Sequence, residues 1–356
     1  MAEVRPDSEA ALADAIRAAN GPLRLVGGGT RLADPPEGTA LHLTGLTGIT
    51  LYEPGALTLV ARAGTPLAEI ETALAAENQR LAFEPMDHRT LLGTGGEPTI
   101  GGTVATNTSG PRRISVGAAR DFLLGVRLVD GSGRIVSNGG RVMKNVTGYD
   151  LVKLMAGSHG TLGALTEVSL KVLPRPETTA TLAIPGQSVA QAVDTLSRAL
   201  GSPFEVTGAA HHAGETLIRI EGFEASVAYR AERLRELLPG AETADRDWTA
   251  IRDVTPLSGR KGALWRISVR PSDAPAMIDR LAPADVLLDW GGGLVWLLDD
   301  TGRDLRPLMG CPGHATLLRG GAAPRFHPED PGNAMLSKGL RDVFDPRGLL
   351  NPGLMA

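Results

Sequence analysis

Small residues crowd two separate runs of this chain, Thr99-Ile-Gly-Gly-Thr-Val-Ala-Thr-Asn-Thr-Ser-Gly110 and Gly157-Ser-His-Gly-Thr-Leu-Gly163. Glycine lets a backbone close on a bulky ligand, and Thr103, Thr106, Asn107 and Ser109 add hydrogen-bonding groups with little bulk. Such a lining suits a large flat molecule that carries phosphates, with donors for a pyrophosphate and for the polar edge of a ring. An earlier triplet, Gly27-Gly-Gly29, ends a predicted strand and leads into Thr30 and Arg31. It predicts a nest of main-chain N–H groups for pyrophosphate oxygens. It does not open the helix of a dinucleotide fold, because Asp34-Pro-Pro36 interrupts it, and no glycine precedes Lys and Ser or Thr in phosphate-loop order.

The elements that must position these runs follow from periodicity. Asp7 or Ser8 caps a helix with Leu12, Ala15, Ile16 and Ala19 on one face and Gly21 as its stop. Strands are predicted at Leu23–Val26, Ala40–Leu43 and Thr58–Ala63, a helix at Leu67–Leu74 behind Thr65-Pro66, and a strand-like Leu81–Phe83. Asp130-Gly-Ser-Gly133 joins Gly125–Val129 to Arg134–Val136 as a hairpin, so the first part holds antiparallel pairs. Pro174-Arg-Pro176 ends the strand Thr166–Val172 and marks a boundary. Beyond it an order recurs: strand 179–184, helix 189–200, strands 204–208 and 216–221, helix 226–238, echoed by strand 263–269, helix 273–281, strands 285–290 and 293–298, helix 301–309 and strand 315–319. This reads as an α+β cap with an antiparallel sheet and helices on one face. The expected division is 1–176, a cap at 177–320, and a segment 321–356, with a helix Asn333–Val343, that returns to the first domain.

Bulk properties remove whole classes of function. With 356 residues, 42% of them hydrophobic, the chain can pack two domains. A formal net charge of -4 without a run of one sign leaves no footprint for nucleic acid. The N-terminus lacks a signal-peptide pattern, and no apolar run suits a bilayer span, so a cytoplasmic protein is expected, tied to the inner membrane only through partners. The single cysteine, Cys311, supplies neither a disulfide nor the ligands of an iron–sulfur cluster, so electrons of any redox chemistry leave through a partner or a diffusible acceptor. Adjacent His211 and His212 point apart on a strand and make a poor metal pair. Trp248, Trp265, Trp290 and Trp296 all fall in the cap, as core or as interface anchors.

Val26-Gly-Gly-Gly-Thr-Arg31, Ile100-Gly-Gly-Thr-Val-Ala-Thr-Asn107, Val142-Met-Lys-Asn-Val-Thr-Gly-Tyr-Asp-Leu151, Gly160-Thr-Leu-Gly163 and Asn351-Pro-Gly353 resemble the FAD domains of the vanillyl-alcohol oxidase type. Within that family the combination is most similar to the FAD-binding subunits of bacterial glycolate oxidases, over nearly the full chain, including Gly110-Pro-Arg-Arg113 and Leu264-Trp-Arg-Ile-Ser268. The resemblance implies a two-lobed FAD-binding domain with an α+β cap over the flavin. It also implies a complex in which a sister FAD-binding subunit and an iron–sulfur subunit join this chain to oxidise glycolate to glyoxylate. By carry-over, Gly27, Gly28, Gly29, Thr30 and Arg31 meet the pyrophosphate. Ile100, Gly101, Gly102, Thr103, Thr106, Asn107, Ser109 and Gly110 flank pyrophosphate and ring. Gly160, Thr161, Gly163 and Leu165 bind through main-chain groups, with Asn351 joining from the terminal loop.

Departures from the family set further expectations. His159 stands where related 2-hydroxy-acid dehydrogenases have Glu, and His327-Pro-Glu-Asp-Pro-Gly-Asn333 lacks their paired metal-binding histidines, so no catalytic metal is expected. The first glycine loop carries Thr30 and Arg31 rather than histidine, so FAD is expected to be non-covalent. Hydroxy-acid oxidation needs a base near the hydroxyl and a cation at the carboxylate. Arg266 is the candidate clamp, because a guanidinium grips a carboxylate at two points. His159 is a candidate base or a structural hydrogen-bonding group, and Lys144 a counter-charge for flavin or phosphate. Two alternatives stay open: a stand-alone FAD-dependent 2-hydroxy-acid dehydrogenase, and a scaffold that has lost flavin.

Overall fold

The computed structural model describes residues 3–141 and 148–355, so Lys144 and the Val142–Thr147 part of the motif lie outside the described residues. The chain starts with a helix, Glu9–Ala18, capped by Ser8, whose hydroxyl accepts from the Ala11 amide. Its apolar face, Leu12, Ala13 and Ile16, packs on β1 (Leu23–Val26) and β2 (Thr39–His42), which pair in parallel. Leu349 and Leu350 join the same core, so the end of the chain lies against its beginning.

A second layer is an antiparallel sheet. Its strands are β3 (Ile49–Glu53), β4 (Thr58–Arg62), β6 (Leu123–Val129), β7 (Ile135–Gly139) and β8 (Ala164–Lys171), in the order β3-β4-β8-β6-β7; β5 (Gln79–Arg80) forms a two-residue ladder with β9 (Leu173–Pro174). The β6–β7 turn is fixed by Asp130, whose buried carboxylate accepts from the Ser132 and Arg134 amides and pairs with the Arg134 side chain. Helices Leu67–Ala76 and Ile100–Thr106 close the core over Leu59, Phe83, Phe122, Val168 and Leu170.

The remaining strands form one antiparallel sheet: β10 (Thr178–Ile184), β11 (Val206–His212), β12 (Glu215–Gly222), β13 (Glu242–Thr243), β14 (Ala263–Val269), β15 (Asp285–Asp289), β16 (Leu294–Asp299) and β17 (Gly313–Arg319). Their order, β13-β10-β12-β11-β15-β16-β14-β17, is one pattern and its mirror image, joined where β11 meets β15 at His211↔Leu288 and His212↔Leu287. The recurring order in the sequence is thus a structural repeat. Alternation along β14 divides its side chains between two faces. Trp265 and Ile267 pack towards Met277, Ile278 and Leu281 of the helix Ala274–Leu281. Leu264 packs on the opposite side with Met86, Leu91 and Leu92 from the first part of the chain.

The expected α+β class is what the structure shows, with differences in detail. Ile100–Thr106, within the first small-residue run, is a helix that Thr99 caps by accepting from the Gly102 amide. Residues 301–309 contain only a 3₁₀ turn, Arg306–Leu308; Pro307 cannot extend a helix, and Asp299 and Asp304 accept from the Thr301 and Arg306 amides instead. Leu81–Phe83 forms no strand, and the strand expected at 204–208 runs over Val206–His212. Ile49–Glu53 and Trp248–Arg252 are elements without a clear sequence signal. Trp248, Trp265 and Trp296 are buried, which makes them core residues.

Candidate functional site

Two neighbouring cavities account for most of the singled-out residues. The first, of ≈ 290 Å³, is lined by Gly27–Arg31, Gly101, Gly102, Thr106, His159, Gly160, Gly163, Leu165 and Asn351. Glycines and apolar side chains, Leu25, Val26 and Leu43 among them, make up much of its wall. Among the described residues, no protein acceptor takes a hydrogen bond from the amides of Gly27, Gly28, Gly29, Thr30 or Arg31. Five successive residues with no protein acceptor for their amides border the cavity, and main-chain donors seldom stay unpaired without a ligand or water. The donor set fits a pyrophosphate.

Gly28 and Gly101 also serve the packing of protein against protein. A side chain at Gly28 would put its Cβ 1.7 Å from the Glu97 carbonyl oxygen, and one at Gly101 would collide with Ala63. These positions are demanded by protein packed against protein, which draws the walls together. Gly29 alone of the triplet has φ +71, and nothing lies within 4 Å of where its Cβ would stand, so it faces open space. Asn351 staples the cavity from the end of the chain: its Oδ1 accepts from the Leu25 amide at 2.8 Å and its Nδ2 donates to the His159 carbonyl at 2.8 Å.

The second cavity, of ≈ 730 Å³, shares Arg31, Thr106 and His159 with the first and is walled by side chains. Among the described residues, Arg31, Arg113, Arg120, Arg266, Arg325 and Arg341 line it, against one carboxylate, Glu329. Such an excess of cations selects an anion. At the junction Arg31 donates to Thr103 Oγ1 at 2.8 Å, Thr108 Oγ1 at 3.0 Å and His88 Nδ1 at 3.0 Å. Burial lowers the Arg31 pKa to about 10, which leaves it charged. Burial, with Arg31 and Arg266 nearby, lowers His88 to about 3, so the ring is neutral and its Nδ1 accepts.

The sheet supplies the opposite wall. Arg266 of β14 lies in register with Trp296 of β16 and Thr316 of β17, and all three line this cavity. His314, two residues before Thr316, stacks on His327 with ring centres 5.3 Å apart, and His327 Nδ1 accepts from the Ala315 amide. His159 meets Phe326 edge-on at 4.9 Å and is lowered to about 4 by burial, helped by Arg325 and Arg31. Its φ of 52 is unusual for a side-chain-bearing residue, and its amide donates to the Ala105 carbonyl.

Of the expected cofactor contacts, Asn107 and Ser109 line the second cavity; their side chains also accept from the Arg120 and Ala119 amides. Ile100 and Thr103 are buried, Gly110 packs against Glu84, and Thr161 bonds the Ser158 carbonyl; none of these four lines either cavity. Sequence reasoning missed Arg113, Arg325 and the His314–His327 stack, whose members lie far apart in the chain. It also missed the ionic joint behind the site: Arg112 grips Glu221 at 2.6 and 2.7 Å, Arg80 holds Glu221 at 2.9 Å, and Arg219 holds Glu84 at 2.9 and 3.0 Å. Arg112 lowers the Glu221 pKa to about 2 despite burial, with Arg219 and Arg80 contributing. Among the described residues, no group of three or more His, Cys, Asp or Glu stands ready for a metal ion, and no helix is long and apolar enough to cross a membrane.

Comparison with known proteins gives a consistent picture. Residues 2–139 match the FAD binding domain family. The glycolate oxidase subunit GlcE of Escherichia coli (strain K12) is 41% identical over 336 residues, which cover 91% of this chain and 89% of that protein. D-lactate dehydrogenase of Anaerostipes hadrus is 34% identical over 172 residues, 48% of this chain and 34% of that one. Glycolate oxidase subunit GlcD of Bacillus subtilis (strain 168) is 41% identical over 99 residues, 28% of this chain and 21% of its own length. Among solved structures, alkyldihydroxyacetonephosphate synthase aligns with a TM-score of 0.68 over 98% of this chain and 76% of its own, at 16% identity, a likeness of fold.

Proposed function

The chain belongs to the family of FAD-binding glycolate oxidase subunits, and on that premise we propose that it works within a complex that oxidises glycolate to glyoxylate, beside a sister FAD-binding subunit, and passes electrons to an iron–sulfur subunit. Its cofactor is FAD. The observation that carries the reading is the row of five unpaired amides from Gly27 to Arg31 beside a cation-lined cavity. In this reading the nest holds the pyrophosphate, and Gly101, Gly102, Thr106, Gly160, Leu165 and Asn351 frame the cofactor without a covalent bond. Asn107 and Ser109 border its ring. Bound FAD supplies a two-electron acceptor for the α-hydride of a hydroxy acid.

The chain's own groups prepare the substrate. Arg266 holds the carboxylate, and Arg31 adds positive potential at the junction of the cavities. His159, neutral at physiological pH, offers a ring-nitrogen lone pair where the hydroxyl proton must go. We read residues 1–176 as the FAD-binding domain, 177–320 as the cap and 321–356 as the returning segment.

Partner subunits are supported by the helix Pro331–Phe344, which buries none of its residues and leaves Met335, Leu336 and Val343 more than half exposed. With one free cysteine, Cys311, the chain suits a reducing cytoplasm, with partners as its tie to the inner membrane. A stand-alone 2-hydroxy-acid dehydrogenase is the second reading, favoured by a cation-lined cavity built within one chain. Anaerobic addition of glycolate to the isolated chain and to the assembled complex separates them. Bleaching of flavin only in the complex supports the subunit reading, whereas equally fast bleaching in the isolated chain supports the second.

A further inference from the structure

Two cations that no contacting carboxylate balances stand together on the wall of the larger cavity. Arg113 opens the short helix Arg113–Val116, Arg266 lies on β14, and both line the cavity. Their guanidinium carbons sit 4.3 and 5.2 Å from the centre of the same indole, that of Trp290. Among the described residues neither side chain makes an ion pair or a hydrogen bond; Asp121 and Asp289 temper them only at longer range. An aromatic face attracts a guanidinium but cannot satisfy its N–H fork, which is shaped for an oxyanion.

Trp290 is held in place by unusual means. Its φ is 52, its amide donates to Asp289 Oδ1 at 2.7 Å, and its indole N–H donates to the Gly110 carbonyl at 3.1 Å. Left-handed backbone at a bulky residue is costly and persists only when its surroundings enforce it. Gly110 lies three residues before Arg113, so the indole ties the segment bearing Arg113 to the sheet bearing Arg266. The pair of like charges is therefore fixed in position, and its unused N–H groups border a cavity large enough for a small acid.

We infer that Arg113 and Arg266, backed by Trp290, form one two-armed clamp for the carboxylate of the hydroxy acid, which makes Arg113 a second substrate-binding residue. This rests on the 2-hydroxy-acid reading above. One arm of the clamp comes from the short helix Arg113–Val116 and the other from β14.

The test is calorimetric titration of the FAD-loaded protein with oxalate, alongside its melting temperature with and without oxalate. It compares the unaltered protein with R113Q, R113K, R266Q and the double variant R113Q/R266Q. Each Gln variant is expected to weaken oxalate binding about 10- to 100-fold with flavin content unchanged. R113K should recover only part of the loss, because an ammonium lacks the fork, and oxalate should no longer raise the melting temperature of the double variant. Neutral glycolamide should bind all of them alike. Unchanged oxalate affinity in a flavin-loaded R113Q would overturn the clamp and leave Arg266 to act alone. Unchanged affinity in both single variants would also overturn it. An unaltered protein that carries no flavin would instead strike the reading beneath it.

Discussion

The two cavities differ in what they are made of. The smaller has seven glycines in its wall and a row of main-chain amides whose partial charges do not titrate. The larger is walled by arginine and histidine side chains from distant parts of the chain. A main-chain cradle suits a resident group whose shape is constant, whereas a side-chain wall suits a small anion that comes and goes. The first tolerates almost no added volume; the second is sensitive to the loss of single charges and to pH.

The largest effect is expected from adding volume to the first cavity's wall. Gly28→Val drives a side chain into the Glu97 carbonyl, 1.7 Å from the Cβ position, and should yield protein without flavin that is about 3 kcal/mol less stable. Absorbance and thermal melting of the purified variant check this. Flavin retained at wild-type level would break the contrast.

Next comes the joint between the two sheet systems. Glu221→Gln leaves buried Arg112 and half-buried Arg80 with a weakened partner, so about 3 kcal/mol of stability should be lost in denaturant titration. Two separate unfolding transitions would show that the systems hold together mainly through these charges.

Acid should act on the second cavity. His88 has a folded pKa of about 3, below its ordinary 6.5, so the unfolded chain binds the proton more readily. Its contribution is fully present above pH 6.5 and is lost as pH falls towards 3, by about 2 kcal/mol at pH 5. His159, lowered to about 4, acts in the same direction. Melting temperatures at pH 7.5 and 5 should diverge less in His88→Asn, which keeps an acceptor for Arg31. An identical divergence would remove His88 from the account.

The smallest effect belongs to the terminal staple. Asn351→Ala removes bonds to Leu25 and His159 and should cost about 1 to 2 kcal/mol while speeding FAD loss on dilution. Unchanged FAD release would make the terminal loop a bystander.

Much of the first cavity was legible because its chemistry is local. Gly27–Arg31 follows its strand directly, and the helix, hairpin and recurring cap order lie in short windows of sequence. What those glycines are for was not legible: Gly28 and Gly101 answer to Glu97 and Ala63, partners that only folding brings near. Part of the second cavity escaped for the same reason. Arg113 and Arg325 look like any surface arginines until β14, β17 and the returning segment gather them beside Arg31 and Arg266. Arg113 lay within the quoted Gly110-Pro-Arg-Arg113, yet its meeting with Trp290 spans most of the cap. His314 and His327 conceal their stacking behind a turn in the chain.

The most direct measurement is the visible spectrum of this chain purified without partners, followed by mild denaturation and quantification of the released pigment. The nest and the glycine-walled cavity predict a yellow protein that releases FAD in near-equal amount to protein. A folded, colourless protein that takes up no added FAD would contradict the account.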